Sequence, residues 1–131
     1  MLQVGDIITF ERKFTKKDVV RFTELSKDEG NHHVNEDEQG RLMVQGLLTA
    51  TLPTKVGGDN DVLARKMVFE FLRPVFTGDT ICCRVEIIKY EREKKDRMAI
   101  LARFTSDNQD GKTVLIGEFS GVILNGERGK A

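Results

Sequence analysis

The sequence predicts an α+β fold: one curved antiparallel sheet wrapped around a central buried helix, in a single domain over 1–131. Three observations carry this prediction. The C-terminal half alternates apolar and polar residues in four runs, Met67-Phe69-Phe71, Ile81-Cys83-Val85-Ile87, Met98-Ile100-Ala102-Phe104 and Leu115-Gly117-Phe119, the period of strands with one buried face. The turns between them are short, Pro74 to Asp79, the charged tip Glu91 to Asp96, and Asn108-Gln109-Asp110-Gly111, so the strands run antiparallel. The run Gln45 to Val56 is apolar on nearly all sides, which suits only an interior helix. A chain of 131 residues can bury roughly two thirds of its extended surface, enough for one core.

In chain order, Ile7 to Phe14 has the β-branched and aromatic content of a short strand. Thr15-Lys16-Lys17-Asp18 reads as a capping box with Thr15 as N-cap. The helix it opens carries Val19, Phe22 and Leu25 on one face and stops near Ser26. A loop from Lys27 to His33 follows, then an acidic polar segment to Arg41. In the central helix, Pro53 should bend or break the last turn and Gly57-Gly58 should close it. The tail 126–131 is polar and expected to fray.

Composition narrows the function. Lys plus Arg and Asp plus Glu number 21 each, and no long block of one sign occurs, which argues against nucleic acid as a partner. No apolar run approaches a membrane span and the N-terminus has no basic segment leading into an apolar core, so a cytoplasmic protein with no membrane partner is expected. Cys82 and Cys83 face opposite ways in a strand and cannot form an ordinary disulfide with each other. No cofactor is called for, and no metal: the only other soft ligands, His32 and His33, are adjacent and lack ligand spacing.

The informative stretch is Leu25-Ser26-Lys27-Asp28-Glu29-Gly30-Asn31-His32-His33, which sets a carboxylate and an imidazole five residues apart. In isolation, Asp28 could simply end the helix and a loop histidine could be a turn hydrogen-bonder. The flanking motifs favour a functional pair: Phe14-Thr15 with Asp18-Val19 and Phe22 before it, Gln45-Gly46-Leu47-Leu48 after it, and Phe71-Leu72-Arg73-Pro74-Val75-Phe76-Thr77-Gly78-Asp79-Thr80 farther on. Together these resemble the MaoC-like dehydratase branch of the hot-dog family, which includes (R)-specific enoyl-CoA hydratases, over about residues 5 to 124. The branch usually reads Ser-Gly-Asp-x-Asn-Pro-x-His in this loop, which places Asp28 and His33 on its acid/base pair without a gap. Lys27 replaces the glycine and Gly30-Asn31 the Asn-Pro, so a shift of one residue would hand the role to His32.

The resemblance implies reversible hydration of trans-2-enoyl thioesters, of CoA or an acyl carrier, to (R)-3-hydroxyacyl thioesters by a homodimer or higher homo-oligomer. That reaction must remove a proton from water, deliver one to the α-carbon and hold negative charge on the thioester oxygen. Asp28 suits the general base, and His33 suits the second proton, because an imidazole is the side chain that gains and loses a proton near neutrality. The amides of Gly46 and Leu47, at the start of the buried helix, suit the oxyanion, although glycine there could merely permit close packing. Asn31 and His32 are expected at the substrate, and Arg73 is either a solvated charge or a contact for a CoA phosphate. Two alternatives remain open: a hot-dog acyl-CoA thioesterase, and a non-catalytic acyl-CoA-binding subunit.

Overall fold

The computed structural model describes residues 2–124; the tail expected to fray lies outside them. The elements are β1 (Ile7–Lys13), α1 (Lys16–Ser26), α2 (Asn31–Val34), α3 (Gly46–Thr49), α4 (Thr51–Asp59), β2 (Val62–Phe71), β3 (Thr80–Lys94), β4 (Arg97–Asp107) and β5 (Thr113–Leu124). The five strands form one antiparallel sheet in the order β1-β3-β4-β5-β2. The sheet curls around α3 and α4, as the sequence predicts. Among the described residues no helix is long and apolar enough to cross a membrane.

Alternation holds in β3, where Ile81, Cys83, Val85 and Ile87 are buried, and in β4, where Ile100, Ala102 and Phe104 are buried. Each fully buried aliphatic side chain of this kind contributes about 1.5–3 kcal/mol. From the helices, Leu48, Leu52 and Val56 meet this face, with Phe14 and Val19 closing the core at the first helix. Cys83 faces inward and Cys82 outward. Burial pushes the Cys83 thiol up, against a smaller opposing effect of the Ser106 hydroxyl beside it.

The expectation of an inward apolar face holds only in part in β2. Phe69 packs against the core and the Phe104 ring, whereas Met67 is 39% and Phe71 51% exposed on this edge strand, paired only with β5 among the described residues. The short Pro74–Asp79 connection does not join neighbours either: β2 and β3 lie at separate places in the sheet, and the chain crosses between them. The Glu91–Asp96 tip is tighter than expected, since β3 continues to Lys94 and only Lys95 and Asp96 turn.

The central helix is two helices. A break at Ala50 separates α3 from α4, and Pro53 falls in the first turn of α4, where no intrahelical donor is missed. The bend therefore precedes Pro53, and α4 runs through Gly57 and Gly58 to Asp59, where Asn60 caps it. Leu47, Thr54 and Lys55 reach solvent, so the segment is not buried on all sides.

At α1 the capping box is formed: Asp18 N–H donates to Thr15 Oγ1 (3.2 Å) and Thr15 N–H to Asp18 Oδ2 (2.9 Å). Burial alone would raise the Asp18 carboxyl, but the Thr15 hydrogen bonds and the Arg12 guanidinium (3.3 Å) outweigh it and hold it below its usual value. The helix ends at Lys27, which takes the left-handed conformation (φ 63°) and donates its N–H to Thr23 O (2.9 Å).

Candidate active site

The turn at Lys27 aims Asp28. Its N–H donates to Ser26 Oγ (3.0 Å), and its Oδ1 accepts from Gly30 N–H (3.3 Å), an Asx turn that leaves Oδ2 free to face His33. The segment beyond is not wholly loop, as the sequence reading had it: Asn31 to Val34 form one helical turn, α2. That turn swings His33 inward, where it is 6% exposed, and leaves Asn31 and His32 exposed.

His33 is held by its backbone neighbour. Nδ1–H donates to the Met43 carbonyl (2.6 Å); a carbonyl only accepts, so the proton sits on Nδ1 and the Nε2 lone pair is presented elsewhere. Nε2 faces Asp28 Oδ2 at 3.6 Å, too long for a direct hydrogen bond but within reach of one shared water. Met43 is itself fixed, since its N–H donates to His32 O (2.9 Å) and it pairs with Phe76.

A cleft of about 360 Å³ opens beside this pair. His32 and His33 border it from α2, Gly46 and Thr49 from α3, and Phe71, Arg73 and Val75 from the end of β2 and the segment after it. Of the residues singled out in the sequence, the structure thus brings His32, His33, Gly46 and Arg73 together at one cleft. Asp28 stands behind His33, its side chain half exposed. Arg73 is anchored at the rim by Nη1–H donating to Thr113 O (2.6 Å). Leu47 is 60% exposed and not among the lining residues, and Asn31 Oδ1 accepts from the Asn35 side chain on the same turn, so these two side chains do not join the cleft.

A side chain at Gly46 would have to displace Phe71. A Cβ there would lie 2.8 Å from the Phe71 ring, so the ring packs directly over the helix start. The hydrogen-bond ladder of α3 begins when Leu48 and Thr49 N–H donate to Gln45 O (3.0 and 3.1 Å), which leaves the Gly46 and Leu47 amides ahead of it.

Three further residues, Gly30, Met43 and Thr49, shape the site beyond those singled out from the sequence. Gly30 sits under both imidazoles, with a Cβ there 3.1 Å from His32 and 3.3 Å from His33. Its signal was its place directly between Asp28 and the histidines. Met43 orients His33 through a backbone carbonyl, which no side-chain pattern encodes. Thr49 lines the cleft one helical turn after Gly46, a spacing that could have found it.

No protein-family model and no curated protein matches the sequence. Solved structures do match. An (R)-hydratase from A. caviae involved in PHA biosynthesis is 26% identical, with a TM-score of 0.81 over 94% of this chain and 97% of that one. A monoamine oxidase regulatory protein from Archaeoglobus is also 26% identical, with a TM-score of 0.76 over 94% and 91%. A MaoC-like dehydratase from Rhodospirillum rubrum is 16% identical, with a TM-score of 0.74 over 94% and 93%.

Proposed function

The chain belongs to the MaoC-like hot-dog family, and we propose that within it the chain is a hydro-lyase that adds water reversibly to trans-2-enoyl thioesters, giving (R)-3-hydroxyacyl thioesters. One observation carries this reading: Nε2 of a buried, tautomer-locked His33 and Oδ2 of Asp28 are 3.6 Å apart, at a cleft that the amide-bearing start of α3 also borders.

In the forward direction a water between Asp28 and His33 attacks the β-carbon. Asp28 accepts one water proton as the oxygen–carbon bond forms, and the double-bond electrons move onto the thioester oxygen as an enolate. The Gly46 and Leu47 amides hold that oxyanion, each donor of this type contributing on the order of 3 kcal/mol. His33 orients the water through Nε2, then takes the proton from Asp28 on that nitrogen and delivers it to the α-carbon, which leaves both Asp28 and Nε2 unprotonated as at the start. His32 and Arg73 contact the substrate at the rim, Arg73 as a cation for a phosphate of CoA or of an acyl carrier, and Asn31 braces the turn that carries both histidines.

The partner is a second copy of this chain. The unpaired edge of β2, with Leu63, Met67 and Phe71 exposed along it, gives a sheet-to-sheet docking surface, and an open apolar edge of this length invites pairing. The half-exposed Asp28 favours a second reading, a thioester-binding subunit without turnover.

The decisive measurement follows the enoyl absorbance of crotonyl-CoA with wild-type protein and Asp28→Asn. Wild type should consume the enoyl thioester without releasing free thiol, and Asp28→Asn should lose at least about a hundredfold in kcat while still binding crotonyl-CoA. Binding without turnover by wild type would decide for the second reading, and thiol release for a thioesterase.

A further inference from the structure

Gln45 is a polar side chain only 1% exposed, and it does not line the cleft. Its side-chain NH2 donates to Thr23 Oγ1 (2.8 Å) and lies 3.5 Å from Val19 O, both on α1, while its Oε1 has no hydrogen-bond partner among the described residues. A buried acceptor left without a partner opposes folding, so a purely structural role accounts poorly for glutamine here.

The two ends of this contact lead to the two halves of the site. Thr23 O accepts the Lys27 N–H that ends α1 and turns the chain into Asp28. The Gln45 carbonyl accepts from Leu48 and Thr49, and that carbonyl shares one peptide unit with the Gly46 N–H. In a trans peptide the two point in opposite directions, so tying the carbonyl into α3 turns the Gly46 amide outward from the helix start. Upstream, Val44 N–H donates to Val75 O (2.7 Å), holding the extended segment that delivers Gln45.

We infer that Gln45 is a positioning residue whose hydrogen bond to Thr23 sets the distance between the Asp28/His33 pair and the Gly46 amide. The inference rests on the proposed hydration, since it is the relation of water-activating groups to oxyanion donor that the strut maintains. Misplacing such groups by about an ångström costs up to about a hundredfold in rate.

The test compares wild type, Thr23→Ser, Thr23→Val, Gln45→Met and the Val/Met double variant in crotonyl-CoA hydration, with circular dichroism for the fold. Thr23→Ser keeps the hydroxyl and should stay within about threefold of wild-type kcat, whereas Thr23→Val and Gln45→Met should each lose at least about tenfold in kcat with KM within about threefold. The double variant should be no slower than the worse single one, because one bond is broken in all three. Should Gln45→Met fail to fold, Thr23→Val, a near-isosteric change at a partly buried position on α1, decides alone. Wild-type kcat in folded Thr23→Val, a loss confined to KM, or additive losses overturn the inference while leaving hydration intact; a wild-type protein that does not hydrate enoyl thioesters overturns both.

Discussion

His32 and His33 are neighbours in sequence, with ring centroids 3.9 Å apart, yet their surroundings separate them: His33 is buried and bonded through Nδ1, while His32 is exposed at the rim. His33→Ala should therefore cost at least about tenfold more in kcat than His32→Ala, measured side by side on crotonyl-CoA; the opposite order would move the acid/base role to His32. Gly46→Ala forces its methyl against the Phe71 ring and should lower activity, with partial recovery in Gly46→Ala/Phe71→Leu, since Phe71 is half exposed and a smaller side chain makes room. The five-residue spacing of Asp28 and His33 was enough to read that the two side chains could meet. What could not be read was Met43, whose carbonyl selects the tautomer, because backbone groups carry no residue-type signal.

Among the elements, α1 was the most legible, since Thr15 and Asp18 form the capping box their spacing announces. Thr15→Ala should lower stability by about 1 kcal/mol in urea titrations at neutral pH. The folded Asp18 carboxyl is depressed, so its share of stability is present above the carboxylate's ordinary value of 3.8 and is lost as the pH falls through the lower folded value; Asp18→Asn should narrow the gap to wild type in acid. At the other end, Lys27 holds a left-handed conformation that favours glycine, so Lys27→Gly should raise stability by roughly 1 kcal/mol in the same titration. The central segment was only half legible. Its apolar content announced an interior helix, but Pro53 reads the same whether it breaks a helix or begins one, and only the break at Ala50 distinguishes the two.

At the scale of the whole molecule, alternation in β3, β4 and β5 was sufficient to give the sheet, but strand order was not. Turn length says that chains reverse, not which strands end side by side, and the crossover after β2 depends on the helices the sheet must enclose. The exposure of Met67 and Phe71 was unreadable for a related reason: Met67-Phe69-Phe71 alternates as a core strand does, and the alternation does not tell that of the three only Phe69 packs against the core. If β2 seats the second copy as proposed, wild type should run as a dimer and Met67→Glu should shift it toward monomer in light scattering after size exclusion, by setting two like charges near one another across the paired edges. Phe71 belongs at once to that edge and to the lid over Gly46. In the proposed dimer dilution would be a chemical variable: as copies separated, the ring would lose its outer support, and specific activity in the proposed hydration should fall with protein concentration in step with dissociation, which would make quaternary assembly a throttle on turnover.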